Sequence, residues 1–156
     1  MNRLLSLLIP ALLLLAACEK DPRYRSPQKF LSQAPWKLAT SRAITIRTGQ
    51  AADTMDYYAQ LDSCRQDQRY VYAESGSYYS EPGTKVCPGQ QPLQREDLGR
   101  WQYFPETKQL LIDGAGRLTW DVLQLDDSVL NLRLRSTVQN DSQASTRIEE
   151  QAYVHP

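Results

Sequence analysis

The stretch that decides the fold is Gln109–Arg135, QLLIDGAGRLTWDVLQLDDSVLNLRLR. Two of its segments place an apolar side chain at every second position: Leu118, Trp120 and Val122 in one, and Leu130, Leu132 and Leu134 in the other. Successive side chains of a strand point to opposite faces, so this alternation is typical of half-buried β-strands. Turn residues at 114–116 and at 126–127 separate the segments. The stretch therefore predicts consecutive antiparallel strands joined by tight turns.

Strand-forming segments continue on both sides of this stretch. They cover residues 36–48, 70–73, 77–80, 98–104 and 146–154, which brings the total to about eight strands separated by regularly spaced turns. No amphipathic segment is long enough for a crossover helix, so the pattern predicts an all-β, antiparallel meander that closes into a barrel or a sandwich. In the last strand, Ile148, Ala152 and Val154 alternate with polar residues and with Tyr153.

Two segments near the start of the domain are less regular. Residues 28–32 predict one helical turn, with Ser26 as its cap and Pro27 at the first helical position. Residues 51–62 fit more than one structure: Met55 and Tyr58 have helical spacing and Asp53 could cap a helix, whereas Tyr57 and Tyr58 suit a strand. For this segment we expect a short helix or a loop.

The N-terminus has the layout of an export signal. Arg3 is followed by an apolar run of about 12 residues, too short to span a membrane, which takes roughly 20. The run ends in Leu15-Ala16-Ala17-Cys18, a lipobox, in which small residues precede the cysteine that receives a diacylglycerol. We therefore predict a lipoprotein signal peptide over residues 1–17 and lipidation (palmitate-type acyl chains) of Cys18. An ordinary secretory signal with a coincidental cysteine is the alternative.

The segment after the lipobox is polar and carries two prolines, so we expect a flexible tether over residues 18–29 and one domain over residues 30–156. The chain has a formal net charge of zero, and loss of Arg3 would leave the mature part at about −1. Without a basic block, nucleic-acid binding has no electrostatic basis. Attachment to a membrane would rest on the acyl chains, of which two or more give stable anchoring.

The chain contains three cysteines. With Cys18 assigned to lipid, Cys64 and Cys87 remain as one pair in an exported protein, where thiols become oxidised. We expect them to form a disulfide that ties a proline-rich loop at residues 82–96 to the rest of the domain. A two-cysteine metal site without a nearby histidine and a free reactive thiol are the alternatives.

Several features in order resemble the lipocalin-like domain lipoproteins of Bacteroidota-type bacteria. They are the lipobox with its acidic tether, Pro35-Trp36-Lys37-Leu38, Cys64-Arg65-Gln66-Asp67 before Tyr70-Val71-Tyr72, Gly76-Ser77-Tyr78, Cys87, and Gly99-Arg100-Trp101. The resemblance covers residues 30–138 and implies an antiparallel, up-and-down, eight-stranded lipocalin-like barrel. It also implies a cell-envelope location, anchored in the outer membrane on the periplasmic side or at the cell surface. The charged start Glu19-Lys20-Asp21 favours neither side strongly.

No catalytic constellation is present in the sequence, and we expect no enzyme activity and no cofactor. The one histidine, His155, lies next to the C-terminus, where a positioned general base is not expected. The acidic residues between 53 and 67 do not have the spacing of a calcium-binding loop. We expect their side chains to be exposed to solvent, and we predict no metal site.

Aromatic residues are the best candidates for a binding pocket, because tyrosine and tryptophan combine an apolar body with a polar tip. The candidate ligand-binding residues are Tyr70, Tyr72, Trp101, Tyr103 and Trp120. Two functions follow: a lipid-anchored binding protein for a small apolar ligand, or a non-enzymatic structural or interaction module of an envelope complex with a filled barrel. The sequence names no protein partner. Inward side chains would distinguish the two, because a barrel filled with large residues has no room for a ligand.

Overall fold

The computed structural model describes residues 26–87, 94–140 and 143–156, and for residues 138–140 and 143 the backbone alone. Within these residues the helical elements are α1 (Pro27–Ser32), a 3-10 turn (Tyr58–Gln60) and α2 (Ser63–Gln66). The strands are β1 (Trp36–Arg47), β2 (Asp53–Asp56), β3 (Arg69–Tyr72), β4 (Ser77–Glu81), β5 (Glu96–Phe104), β6 (Gln109–Asp113), β7 (Arg117–Leu125), β8 (Val129–Asn140) and β9 (Gln143–Val154). The predicted Cys18 site and most of the predicted tether lie outside the described residues.

Eight of the nine strands in the described part of the chain form a closed antiparallel barrel. β1 is followed around the barrel by β3, β4, β5, β6, β7, β8 and β9 in chain order, and β9 pairs back with β1. This confirms the predicted up-and-down, eight-stranded barrel. The short helix predicted before it is also present, as α1, with Pro27 at its start, although the Ser26 side chain makes no capping hydrogen bond.

The ninth strand, β2, falls in the segment for which a helix or a loop was expected, and that expectation was only partly right. Residues 53–56 pair with residues 42–45 of β1, on the edge that β3 leaves after Lys37. An open strand edge thus decides the structure of a segment whose own pattern is ambiguous. The helical part begins only at Tyr58, and Asp56, not Asp53, accepts the hydrogen bond from the Ala59 N–H.

Side chains on the inner face of the barrel form one core. Its buried members are Leu31, Trp36, Leu38, Tyr72, Tyr78, Tyr103, Leu110, Trp120, Val122, Leu130, Leu132 and Tyr153. α1 contacts β3 and β7, which are four strands apart in the barrel, so the helix crosses the barrel end and its Leu31 enters the core. The barrel is therefore closed at this end.

In β1 and β9, the residues that face the core are not those that a simple alternation of apolar residues predicts. A β-bulge between Leu38 and Thr40 shifts the alternation of β1, which buries Ala43 and leaves Ile46 43% exposed. In β9, Tyr153 lies opposite both Leu38 and Leu130 and is buried, whereas Val154 is exposed. The inner set of β9 is therefore the set of Tyr153, and the alternation centred on Ile148 and Val154 marks the outer face.

The longest strands continue beyond the barrel. Residues 134–140 of β8 pair with residues 143–149 of β9, and residues 145–149 of β9 pair with residues 43–47 of β1, beside which β2 adds a fourth strand. We call this sheet the four-stranded extension. Neither β3 nor β7 follows it, because the β1–β3 pairing ends at Lys37 and the β7–β8 pairing ends at Arg133.

Candidate functional site

All five candidate ligand-binding residues belong to the core of the barrel. Tyr72, Tyr103 and Trp120 are buried, and Tyr70 and Trp101 are partly buried and packed against the same cluster. Strand register explains why they share one face, since Tyr70 lies opposite Trp36 and Trp101 lies opposite Ile112. The structure thus brings the predicted residues together. Whether they bind a ligand remains a prediction.

The rings on the inner face lie against one another. Tyr72 stacks on Tyr78 with 4.7 Å between ring centroids and meets Trp101 edge-on at 5.6 Å. Tyr70 meets Tyr153 edge-on at 5.5 Å. These are the separations at which aromatic pairs are favourable, so the rings are partners in one packed cluster and do not line an empty space between them.

The polar atoms of this aromatic cluster are unequally satisfied. The Tyr153 hydroxyl donates to Gln151 Oε1 at 2.7 Å, and Trp101 Nε1 donates to the carbonyl oxygen of Ala73 at 2.9 Å. The Tyr72 hydroxyl and Trp120 Nε1 are buried without a hydrogen-bond partner of good geometry among the described residues. His155 Nε2 is the third buried side-chain atom without a partner in the described part of the chain. A buried unpaired polar group costs about 1–3 kcal/mol, so these atoms are the unsatisfied positions of the described interior.

Burial also fixes the ionisation of the tyrosines. It raises the pKa of Tyr72, Tyr78 and Tyr153 well above the ordinary value, because a phenolate in the core would lose its hydration. The mutual proximity of these phenols adds to the rise in pKa. The three hydroxyls are therefore neutral at physiological pH and can offer hydrogen bonds but no general base.

His155 has a structural position that the sequence did not suggest. Its ring stacks on Trp36 at 3.8 Å, and its Nδ1 lies 2.9 Å from the carbonyl oxygen of Pro35, which can only accept, so Nδ1 carries the proton. Trp36 in turn donates its indole N–H to the carbonyl oxygen of Leu31. The C-terminus, the first strand and α1 are thus joined at the closed end of the barrel.

Cys64 and Cys87 form a disulfide, as predicted, which removes the alternatives of a free thiol and a two-cysteine metal site. The bond links α2 to the segment that follows β4. Both cysteines are buried. Residues 88–93 of the predicted loop lie outside the described residues.

Asp67 supports the same segment a few residues from the disulfide. Its carboxylate accepts hydrogen bonds from Lys37 Nζ, from the N–H and hydroxyl of Thr84 and from the N–H of Lys85. Lys37 and these donors hold the pKa of the Asp67 carboxyl well below its usual range. Gly83 is required here, because a Cβ on it would lie only 2.1 Å from the carbonyl oxygen of Asp67.

A row of charged residues crosses the outer face of the barrel wall. Glu150 on β9 accepts from Arg42 of β1 at 2.6 and 2.9 Å and from Arg133 of β8 at 2.8 and 3.0 Å. The two arginines lower the pKa of the Glu150 carboxyl. Asp56 of β2 lies opposite Arg42 in the register, and Asp121 of β7 lies opposite Arg133. Negatively and positively charged residues therefore alternate across five strands. Three carboxylates and two arginines make up the row, so each arginine has a carboxylate on both neighbouring strands.

Three of the grooves on the described surface have volumes of about 430, 470 and 360 Å³. The first lies over Arg42, Arg133 and Glu150. The other two flank Gln102: the groove beside α1 is lined in part by Trp101 and Tyr103, and the groove beside Leu111 in part by Trp101. None of these three contains Tyr70, Tyr72 or Trp120, so the grooves are separate from the centre of the aromatic cluster.

Neither a metal site nor a membrane-spanning helix occurs within residues 26–87, 94–140 and 143–156. No group of three histidine, cysteine, aspartate or glutamate side chains there could hold a metal ion. No helix in the described part of the chain is long and apolar enough to cross a membrane.

Comparisons with known proteins add no identity to this geometry. No protein-family model, no curated protein and no solved structure matches the chain.

Proposed function

We propose that this chain is a lipid-anchored protein of the bacterial cell envelope whose barrel acts as a non-enzymatic interaction module with a filled, lipocalin-like interior. The observation that carries the proposal is the packing of the inner face. Trp36, Tyr72, Leu110, Leu130 and Leu132 are completely or almost completely buried, and they come from four different strands. Large side chains thus occupy the inside of the barrel from all around it, and the outer surface remains for recognition.

The anchor in this proposal rests on the sequence. A short apolar run closing on Leu15-Ala16-Ala17-Cys18 is the pattern that places a lipid on the cysteine. α1 begins at Pro27, so only a short polar segment separates Cys18 from the folded domain. A barrel tethered this closely to a bilayer meets its partners within the envelope.

The test of the anchor and of the complex uses the full chain expressed in a Gram-negative host that processes lipoproteins. Mass spectrometry of the mature protein should give an N-terminal, acylated Cys18. Cross-linking of intact cells should give an adduct with another envelope protein, and the Cys18→Ser variant should lose both. A mature protein cleaved elsewhere would contradict the anchor, and a protein that stays monomeric in intact cells would contradict the interaction module.

One observation favours a second candidate, the binding of a small ligand inside the barrel. Trp120 Nε1 lacks a partner among the described residues, and the Tyr72 hydroxyl, although close to that of Tyr78, has none of good geometry. A guest with hydrogen-bond acceptors would satisfy both. Such a guest would be a largely apolar molecule with acceptor atoms, because the remaining lining is aromatic and aliphatic.

Native mass spectrometry of the purified domain separates the two candidates. If the barrel is filled, the wild-type domain should be detected only at the mass of the chain itself. The Trp120→Ala variant, which opens space in the core, should bind small apolar probes that the wild type excludes. A stoichiometric small molecule in the wild type, lost in Tyr72→Phe, would favour the ligand-binding candidate.

A further inference from the structure

Two strand edges face the same opening in the barrel wall. β7 and β8 are paired from Leu125–Leu130 to Asp121–Arg133 and then separate, although both strands continue. Residues 117–120 of β7 pair with β6 alone, and residues 134–140 of β8 pair with β9 alone, as far as the described ranges extend. We call this place the β7–β8 opening. Its two edges present backbone N–H and C=O groups that can still pair.

The inner side of the β7–β8 opening is apolar. Leu118 has the same alternation as the buried Trp120 and lies opposite Ile112, yet it is 43% exposed. Across the opening, Leu134 packs against the edge of the core and is only partly buried. An apolar side chain placed between these two leucines would cover both.

The outer side of the β7–β8 opening is basic. Arg117 of β7 and Arg135 of β8 are both exposed, and neither forms an ion pair within 4.0 Å with a described residue. Asp113 stands opposite Arg117 in the register and Ile148 opposite Arg135, so the free positive charge is greatest on the β8 side. This differs from the neighbouring Arg133, whose charge is taken up by Glu150.

We propose that the β7–β8 opening receives an extended segment of a partner protein, which adds to the edge of β8 as a strand. The segment would alternate acidic side chains, on the outer face beside Arg135 and Arg117, with apolar side chains, on the inner face against Leu134 and Leu118. Main-chain hydrogen bonds to the edge would supply affinity and the alternating side chains selectivity. This inference rests on the proposed interaction module and names the surface and the chemistry of its partner.

The probe is an eight-residue peptide with blocked ends that alternates glutamate and valine, titrated into the isotope-labelled domain and followed by NMR. Binding should perturb and protect the backbone amides of residues 134–140 and 117–120, with micromolar affinity. A peptide that alternates lysine and valine should bind at least about tenfold more weakly, because like charges opposite each other are unfavourable. The same glutamate peptide with N-methyl groups at alternate residues cannot complete a ladder and should lose binding.

Charge reversal gives the decisive comparison. The double variant Arg117→Glu/Arg135→Glu should reverse the preference, so that the lysine peptide binds better than the glutamate peptide. Arg65→Glu, an exposed arginine of α2, which contacts β1 and is joined by the disulfide to the segment after β4, is the matched control and should leave the preference unchanged. Equal binding of the N-methylated peptide, perturbation confined to the groove over Arg42 and Glu150, or no binding at all would overturn the inference.

The outcome is separable from that of the proposed function. If intact cells give the envelope adduct with the wild type and equally with the double charge-reversal variant, the interaction module stands and the β7–β8 opening is not its docking surface. Concentration-dependent dimerisation of the domain, blocked by the same variant, would assign the opening to a second copy and also contradict the partner proposed here.

Discussion

The barrel and the four-stranded extension use the same three long strands but are stabilised by different interactions. In the barrel, β1, β8 and β9 contribute Trp36, Leu130 and Tyr153 to an enclosed apolar core. In the extension, none of the described side chains of residues 134–137 of β8 and 144–149 of β9 is fully buried. The pairing there carries polar contacts such as Arg147 with Glu149 at 2.8 Å and Arg147 with the Tyr57 hydroxyl at 2.9 Å.

This difference indicates which residues contribute most to the free energy of unfolding. A buried aromatic side chain contributes several times more than an exposed ion pair, whose value is about 0–1 kcal/mol. We therefore expect substitutions in the barrel to have large effects on stability and those in the extension small ones. A sheet that is not needed for stability is free to present its edges, in keeping with the docking surface proposed for β8.

The largest effect should come from the closed end of the barrel. Trp36 is completely buried, donates to the Leu31 carbonyl and stacks on His155, so Trp36→Ala removes a ring, a hydrogen bond and a stacking partner at once. We expect a loss of about 3–5 kcal/mol in urea unfolding at pH 7. Met55→Ala, in the exposed strand β2, is the control and should change stability by less than about 0.5 kcal/mol. Equal losses in the two variants would contradict the comparison.

The disulfide should have the next largest effect. Cys64→Ser/Cys87→Ser opens a link across 23 positions of sequence, and we expect a loss of about 3 kcal/mol with the barrel signature in circular dichroism retained. Reducing agent should lower the stability of the wild type and leave the double variant unchanged. Two reactive thiols in the natively exported protein would show that the bond does not form.

Asp67→Asn tests the hydrogen bonds that hold the segment after β4. The variant loses the charge that Lys37 and the Thr84 and Lys85 N–H groups share, and we expect a loss of about 1–2 kcal/mol at pH 7. The folded-state pKa of Asp67 is lowered, so its stabilisation is present above the unfolded pKa of about 4 and disappears as pH falls through the folded value.

The pH dependence provides the control for this variant. The stability difference between wild type and Asp67→Asn should be constant from pH 5 to 8 and should narrow below about pH 4. Asp53 is an exposed aspartate of β2 with no described side-chain hydrogen bond, so the stability of Asp53→Asn should follow that of the wild type across this pH range. A difference that widened on acidification would contradict the role given to the Asp67 carboxylate.

The sequence was sufficient for the barrel and insufficient for the extension, for one physical reason. Alternation reports which face of a strand is buried, and it was clear where Leu130 and Leu132 face an enclosed core. In β9 both faces are partly polar, and the register to Leu38 and Leu130, not the residue types, decides that Tyr153 points inward. The strand β2 and the bulge after Leu38 likewise depend on which edges remain open in the folded sheet.

The candidate site also divides into features that the sequence predicts and features that only the structure shows. Rings recurring at every second position predicted that Tyr70, Tyr72, Trp101, Tyr103 and Trp120 share the inside of the barrel, and they do. Their packing against each other and the unpaired atoms of Tyr72 and Trp120 depend on distances that no linear pattern contains. The position of His155 on Trp36 is of the same kind, because it joins the two ends of the domain.

The smallest effect should come from the row of charges on the outer wall. Glu150→Gln removes the charge that joins Arg42 and Arg133, yet the arginines are partly solvated and retain Asp56 and Asp121 as neighbours. We expect a loss below about 1 kcal/mol, measured by urea unfolding at low salt and reduced further in 1 M NaCl. Because Arg42 and Arg133 lower the folded-state pKa of Glu150, the difference from wild type should be present above about pH 4.5 and vanish on acidification. Glu149→Gln, which removes a pair with a single arginine in the extension, should cost less still. A loss for Glu150→Gln as large as that for Trp36→Ala would mean that the wall of the barrel, and not its core, carries the stability of the fold.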